Sequence, residues 1–350
     1  MTINLSELAE FGWNSHFTSQ LEPDEFDDLV PARVIAVHRN ALDIAGPNIA
    51  TSVPPVPSHD DEEGAATVGD WLLIDPQTMR ANRVLDRKSL FKRRAAGTGR
   101  RLQMIAANID TLFIVTSCNQ DFNVARLERY LALAREAGVT PVIVLTKADL
   151  TDTPEDFERA AARLMPALCV ETVDARDPDS VERLAAWCGR GETIALVGSS
   201  GVGKSTLVNT LTGADDIATA GIREDDDKGR HTTTGRMLHR LPAGGWMVDT
   251  PGMRELQLTD VHAGIEDVFS DIVEIASACR FRDCAHDGEP GCAVATAVAD
   301  GTLQPDRVRR WKKLLAEEAH NSATLAERRS RDKEFGKMVK RVMSEKKNKR

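Results

Sequence analysis

No apolar run in this sequence approaches the roughly 20 residues that a membrane-spanning helix needs. The opening stretch MTINLSELAEFGWN lacks both the basic start and the apolar core of a secretion signal, so a cytoplasmic location with no membrane partner is expected. A disulfide framework is missing too. Cys118, Cys169 and Cys188 are scattered through apolar segments, while Cys279, Cys284 and Cys292 crowd together. Nor is positive charge in excess: 45 Lys and Arg face 54 Asp and Glu, which argues against a surface coated for nucleic acid.

The balance conceals local asymmetry. Arg80 to Arg101 holds nine basic residues and one acid, and Glu327 to Arg350 eleven basic and four acidic. Each patch reads either as a solvated face or as a phosphate-binding one. With 350 residues the chain has room for two or three domains. After a lead over 1–31, residues 32–98 contain short β-branched runs broken by Gly, Pro, Asn and Asp, the pattern of a small all-β module. Over 105–262, strands such as DTLFIVTSC, TPVIVLT and TIALV alternate with helical patterns, which predicts an α/β domain around a mostly parallel sheet. Residues 263–325 read as helical apart from the cysteine cluster, and 326–350 as a basic tail or helix.

The stretch IALVGSSGVGKSTLVNTL carries G-x-x-x-x-G-K-[ST] between an apolar strand and a helix. Backbone N–H groups in such a loop converge on phosphate. The contacts expected are from Gly198, Ser199, Ser200, Gly201, Val202, Gly203, Lys204, Ser205 and Thr206, with Lys204 on the β- and γ-phosphates and Ser205 on Mg²⁺. About 50 residues later VDTPG ends a strand, giving Asp249 a Mg²⁺ role through water and Gly252 a backbone N–H for the γ-phosphate. Between them, in DDDKGRHTTTGRM, Thr233 or Thr234 is the candidate Mg²⁺ ligand and γ-phosphate sensor; the other reading of these threonines is the start of a strand.

What the sequence lacks after Leu211 is a base reader. The only good one, Thr146-Lys147-Ala148-Asp149, lies upstream, after the strand PVIVL. Its Asp149 carboxylate would accept from guanine N1–H and the 2-amino group, donors that adenine does not offer, and the Lys147 stem would cover the base. Residues 173–175 are the matching backbone element. The order base reader, phosphate loop, threonines, DTPG is the usual GTPase order circularly permuted, which a fold tolerates when its termini are neighbours. Downstream, Cys279, Cys284, His286 and Cys292 form C-x4-C-x-H-x5-C, an inventory for one closed tetrahedral Zn²⁺ site, with free thiols as the alternative.

These motifs in this order, together with MIAANIDTLFIV and VLDRKSLFKRR, closely resemble the RsgA/YjeQ family of circularly permuted bacterial GTPases, and the resemblance covers nearly the whole chain. It implies an N-terminal OB-fold β-barrel, a central permuted GTPase domain and a C-terminal zinc-binding, mainly helical domain in a monomer. It implies an enzyme that converts GTP to GDP and phosphate, binds the small (30S) ribosomal subunit and its rRNA late in maturation, and turns over faster when the subunit is bound. It also makes His231 the candidate for positioning the attacking water, since Met253 stands where Ras-like enzymes have Gln; a solvated loop histidine is the other reading. Gly201 replaces the Asn of some K⁺-activated GTPases, which argues against K⁺ stimulation by that route. The competing functions are an RNA-binding assembly module in which GTP is only a conformational ligand, and a P-loop kinase using ATP, which Asp149 disfavours.

Overall fold

The computed structural model describes residues 4–56, 65–94, 102–213, 236–249 and 260–322. It divides into two compact units, Met1–Leu256 and Gln257–Arg350.

The first unit begins with three short helices, α1 (Leu5–Leu8), α2 (Ser15–Thr18) and α3 (Pro23–Asp28). Leu8, Trp13 and Phe17 are buried against Trp71, Leu73 and Leu85, with the Trp13 and Trp71 rings edge to face at 4.8 Å. Strands β1 (Val30–Val37), β2 (Leu42–Gly46), β3 (Ile49–Val53), β4 (Trp71–Asp75) and β5 (Arg80–Val84) pair antiparallel in the order β3-β2-β1-β4-β5. Among the described residues no pairing joins β3 to β5, so the strand order is that of a partly open OB barrel. Ala32, Val34, Leu42, Ile44, Val53, Leu72 and Ile74 fill its interior. A separate hairpin joins β6 (Leu90–Arg94) to β7 (Leu102–Ala107).

The parallel sheet follows. It is built from β8 (Thr111–Ser117), β9 (Thr140–Thr146), β10 (Cys169–Thr172) and β11 (Thr193–Val197), with α4 (Val124–Glu136), α5 (Pro154–Ala162), α6 (Pro178–Val181) and α7 (Lys204–Thr212) between and after them. All seven residues of β8 are buried, as expected of a strand covered on both faces. The order is β10-β9-β8-β11, continued by parallel β13 (Trp246–Asp249) and antiparallel β12 (Arg236–Arg240). Strand β12 was not anticipated. It is held between β13 and the barrel's β1, where Ala36 pairs with Met237 and Val37 with Arg236, so barrel and parallel sheet are one continuous surface.

A buried guanidinium reinforces that junction. Arg33 on β1 donates to the carbonyls of Phe11 (2.6 Å) and Asn108 (3.2 Å) and to Thr193 Oγ1 (2.9 Å), the first residue of β11. Burial lowers its pKa to about 10, opposed by the nearby Asp110 and Asp70, so it stays charged at neutral pH. Ion pairs also consume part of the basic segment: Arg83 binds Glu25, Arg87 binds buried Asp70, and Lys88 binds Asp110.

The Arg83 hydrogen bonds, with the Glu22 amide, hold the Glu25 carboxyl near a pKa of about 2, below its ordinary 4.5. A depressed folded-state pKa contributes stability that is present above the unfolded value and lost as pH falls toward the folded one. Glu25→Gln is therefore expected to lower the melting midpoint at neutral pH, with the gap to the wild type closing between pH 4.5 and about 2. Melting curves at stepped pH values check this.

The second unit holds α8 (His262–Val268), α9 (Ser270–Ala276), α10 (Ala293–Ala299) and α11 (Pro305–Ser322). Val268, Phe269 and Ile272 are buried at the joint of α8 and α9. Arg307 of α11 grips Asp271 with two 2.8 Å bonds and covers the Phe269 ring at 4.8 Å. Between α9 and α10 lies the cysteine-bearing loop. None of the described helices is long and apolar enough to cross a membrane.

Candidate nucleotide site and metal centre

Strand β11 delivers Gly198 to the end of the sheet with φ +148°, and a Cβ there would lie 2.2 Å from the Val115 carbonyl oxygen, so only glycine fits. Gly203 then turns left-handed (φ +94°) and caps α7, whose first residue is Lys204. Buried Lys204 donates through Nζ to the Gly198 carbonyl at 2.8 Å and to that of Ser199. The loop thus brackets its own ammonium with backbone at the N-terminus of α7, the arrangement of an anion site. Ser205 and Thr206 follow in the same first turn.

The upstream Thr146–Asp149 stretch comes to this loop through side chains. Thr146, the buried last residue of β9, donates from Oγ1 to the Val202 carbonyl at 2.6 Å. Lys147 adopts a left-handed conformation (φ +56°) and its Nζ donates to the Gly201 carbonyl at 2.6 Å. Residues 54 and 56 positions apart in sequence are therefore in direct contact. Ala148 and Asp149 form the following short turn, with Asp149 exposed. The loop after β10 closes the third side: the Ala175 carbonyl accepts from Thr210 Oγ1 of α7 at 2.7 Å.

Two residues here escaped sequence reasoning. Arg176 Nη2 lies 3.2 Å from Asp149 Oδ2 while Nε and Nη2 hold both oxygens of Asp174 at 2.9 and 2.8 Å. Those bonds, the Arg176 side chain first and its backbone N–H next, depress the Asp174 pKa to about 2, so the Asp149 contact is made by a guanidinium already anchored. Arg126 of α4 donates to Ser199 Oγ. Nothing in the local sequence pattern marks either, because each is defined by a partner 27 or 73 positions away. Of the other sequence candidates, Asp249 closes β13, paired with Met237. Its side chain, together with His231, Thr233, Thr234 and Gly252, lies outside the described residues.

In the second unit Cys279, Cys284, His286 and Cys292 converge, with one donor atom from each lying within 4.8 Å of all the others. His286 Nδ1 is 3.6 Å from Cys279 Sγ and 3.5 Å from Cys292 Sγ. A tetrahedral Zn²⁺ with bonds of about 2.3 Å to sulfur and about 2.0 Å to nitrogen sets its ligand atoms roughly 3.5–3.8 Å apart, so the donor set fits one ion. Backbone N–H groups of Ala293 and Ala295 donate to the Cys279 and Cys292 sulfurs, each at 3.3 Å. Burial works against the Cys279 thiolate, but the amides of Val294 and Ala293 and the neighbouring thiols outweigh it and lower its pKa. Burial, then the Lys312 charge, lowers the His286 pKa and favours the neutral imidazole that a metal requires. A tetrahedral ion held by all four would have no coordination position left for catalysis.

A phosphate loop at the C-terminal end of a mostly parallel sheet, joined to the Thr146–Asp149 loop from an earlier strand, defines a circularly permuted P-loop GTPase, here with an OB barrel before it and a Cys3His unit after it. The chain belongs to the RsgA GTPase family, whose model matches residues 84–259. It is 49% identical to the small ribosomal subunit biogenesis GTPase RsgA 2 of Vibrio parahaemolyticus, a match spanning 97% of this chain and 93% of that one. It is 51% identical to the small ribosomal subunit biogenesis GTPase RsgA of Mesorhizobium japonicum over 92% of this chain and 93% of the relative. Its fold is similar to the crystal structure of YjeQ from Thermotoga maritima, with a TM-score of 0.59 at 24% identity over 83% of this chain and 98% of that one.

Proposed function

We propose that this GTPase works in the cytoplasm as a monomer on the small (30S) ribosomal subunit late in its maturation, and that the bound subunit accelerates hydrolysis. The observation that carries the nucleotide part is the pair of bonds from Thr146 and Lys147 to the Val202 and Gly201 carbonyls, which makes base reader and phosphate loop one site. The relatives' designation as small ribosomal subunit biogenesis GTPases supports the partner. The domain limits are those of the sequence reading: 32–98 for the barrel, 105–262 for the GTPase domain, 263–325 for the zinc domain and 326–350 for the basic tail. rRNA phosphates would be met by that tail and by residues of the Arg80–Arg101 segment other than Arg83, Arg87 and Lys88.

The residues divide the work as follows. Asp149 accepts from guanine N1–H and the 2-amino group, and its Oδ2 retains a lone pair for Arg176. Lys147 lays its stem along the base. The amides of Gly198 through Thr206 and the Lys204 ammonium, drawn from the loop carbonyls, hold the β- and γ-phosphates. Ser205, Thr233 or Thr234, and, through water, Asp249 hold Mg²⁺, which when bound offsets charge on the phosphates. The Gly252 amide meets the γ-phosphate, and His231 positions the attacking water in place of a Gln. Cys279, Cys284, His286 and Cys292 hold one structural Zn²⁺.

The test is GTP turnover by purified protein with and without purified small subunits. Slow turnover alone and acceleration with subunits, on the order of 10³-fold if the effect matches partner-assisted GTPases, is the expected result. A rate indifferent to subunits would remove the partner from the mechanism.

A further inference from the structure

Arg126 occupies the first turn of α4, where a cation opposes the positive end of the helix dipole. Its backbone N–H is capped by Asn123 Oδ1 at 3.0 Å, and the turn holds no acidic residue. Half-buried, the side chain reaches the phosphate loop: Nη1 donates to Ser199 Oγ, and among the described residues no carboxylate pairs with it. The carbonyl of the same Ser199 accepts from Lys204 Nζ. A guanidinium and an ammonium therefore meet on one residue of a loop, Gly198 to Ser205, that contains no acid. Two cations bonded to different atoms of one residue repel each other, and an anion between them relieves that repulsion. The loop is built to receive that anion.

We infer that Arg126 is an arginine supplied in cis to the phosphoryl group that is transferred. It leaves Ser199 Oγ when nucleotide is bound, and its planar fork contacts γ-phosphate oxygens from the side of α4, opposite the α7 helix that carries Lys204. In the reaction a bond forms from water oxygen to the γ-phosphorus and the bond to the β–γ bridging oxygen breaks. The electron pair departs on GDP, and the water proton ends on phosphate. Arg126 exchanges no proton; it neutralises charge as that charge spreads over the transferred group. Such a group matters most where the residue after DTPG is Met253, which offers no hydrogen bond to water.

The inference rests on the GTPase reading, and three measurements separate the two. Wild type, Arg126→Ala and Arg126→Lys are compared for turnover with and without small subunits, for affinity toward fluorescent GDP, and for the tightening of that GDP by aluminium fluoride, whose planar complex mimics the transferred group. Arg126→Ala is expected to lower kcat by about 10²- to 10³-fold, the range for losing one transition-state donor, while GDP affinity changes less than about threefold. Tightening by aluminium fluoride is expected in the wild type and lost in the variant. Arg126→Lys should recover little of either, because an ammonium lacks the fork. A variant rate within about twofold of wild type would overturn the assignment, and so would a loss of GDP affinity as large as the loss of rate, which would make Arg126 a support for the loop through Ser199. Wild-type protein that hydrolyses no GTP even with subunits would instead refute the GTPase reading.

Discussion

Asp149→Asn is expected to weaken GTP binding by about 10²- to 10³-fold and to turn the protein into one that prefers XTP. In the proposed role the wild-type carboxylate offers two acceptors to the N1–H and 2-amino donors of guanine. Replacing it by an amide removes one charge-assisted bond and sets an N–H₂ donor against the guanine amino group, a loss of roughly 3–4 kcal/mol when each such bond is worth about 1.5–3 kcal/mol. Xanthine presents a carbonyl in place of the amino group, so the same amide that rejects guanine can donate to xanthine O2. Fold and phosphate loop should be untouched, since Thr146 and Lys147 keep their bonds to Val202 and Gly201. Competition of GTP, XTP and ATP against a fluorescent nucleotide decides the matter. Unchanged GTP affinity would mean that the reader lies elsewhere and that the permuted order has been misread. The variant also exposes the role of Arg176, because its 3.2 Å contact with Asp149 Oδ2 loses its charge partner while both bonds to Asp174 remain.

That the phosphate loop can be read from sequence and Arg126 cannot has a physical cause. The glycines of the loop answer to constraints on their own backbone, which residue type announces: Gly198 has φ +148°, and at Gly203 the chain turns left-handed into α7. The parallel strands are equally legible, since burial on both faces demands unbroken apolar runs such as those of β8 and β9. Thr146 to Asp149 was recognisable by its place after such a strand, although its bonds to the loop were not. The Cys3His cluster carries its chemistry in residue type and spacing alone. By contrast β12 is a strand because β13 and β1 flank it, and its residues RMLHR alternate too weakly to announce that. The N-terminal helices are four, four and six residues long, too short for a period to show, yet Leu8, Trp13 and Phe17 of that segment complete a cluster around Trp71. Arg33, Arg126 and Arg176 are polar residues whose meaning is a distant partner, and no window of sequence contains both members of the pair.

Cys284→Ser is expected to abolish stoichiometric metal binding and to unfold the second unit while leaving the first intact. The loop from Arg280 to Gly291 has little apolar packing: Phe281, its one large apolar side chain, is 44% exposed, with Arg280 over its ring at 5.4 Å. What else holds it is polar, chiefly Glu289 accepting from the Ala285 and Asp287 N–H groups at 2.9 and 2.8 Å. Two of the four donors also organise helices, because Cys292 is the N-cap of α10 and accepts from Ala295 N–H, while Cys279 accepts from Ala293 N–H. The third point of attachment is His286, whose carbonyl accepts from Lys312 Nζ at 2.7 Å and whose ring lies 5.4 Å from that of Trp311, both on α11. A structural zinc held by such a site would contribute on the order of 10–16 kcal/mol at neutral pH, comparable to the roughly 5–15 kcal/mol that holds a whole domain folded. Losing a thiolate should therefore cost the unit its cooperative structure rather than loosen one loop. The first unit has its own buried clusters, in the barrel and in the parallel sheet, and shares no ligand with the metal. Metal analysis of the purified protein, with hydrogen exchange followed by peptide, gives the readout: about one ion per chain in the wild type and none in the variant, and fast exchange over 262–322 with protection of β8 and β11 retained. A wild type that binds no metal with all four side chains intact, or a serine variant with native protection in α10 and α11, would show that helix packing alone holds this unit. In that case the Arg307–Asp271 pair and the buried face of Val308, Trp311 and Leu314 would have to carry the stability assigned here to the ion.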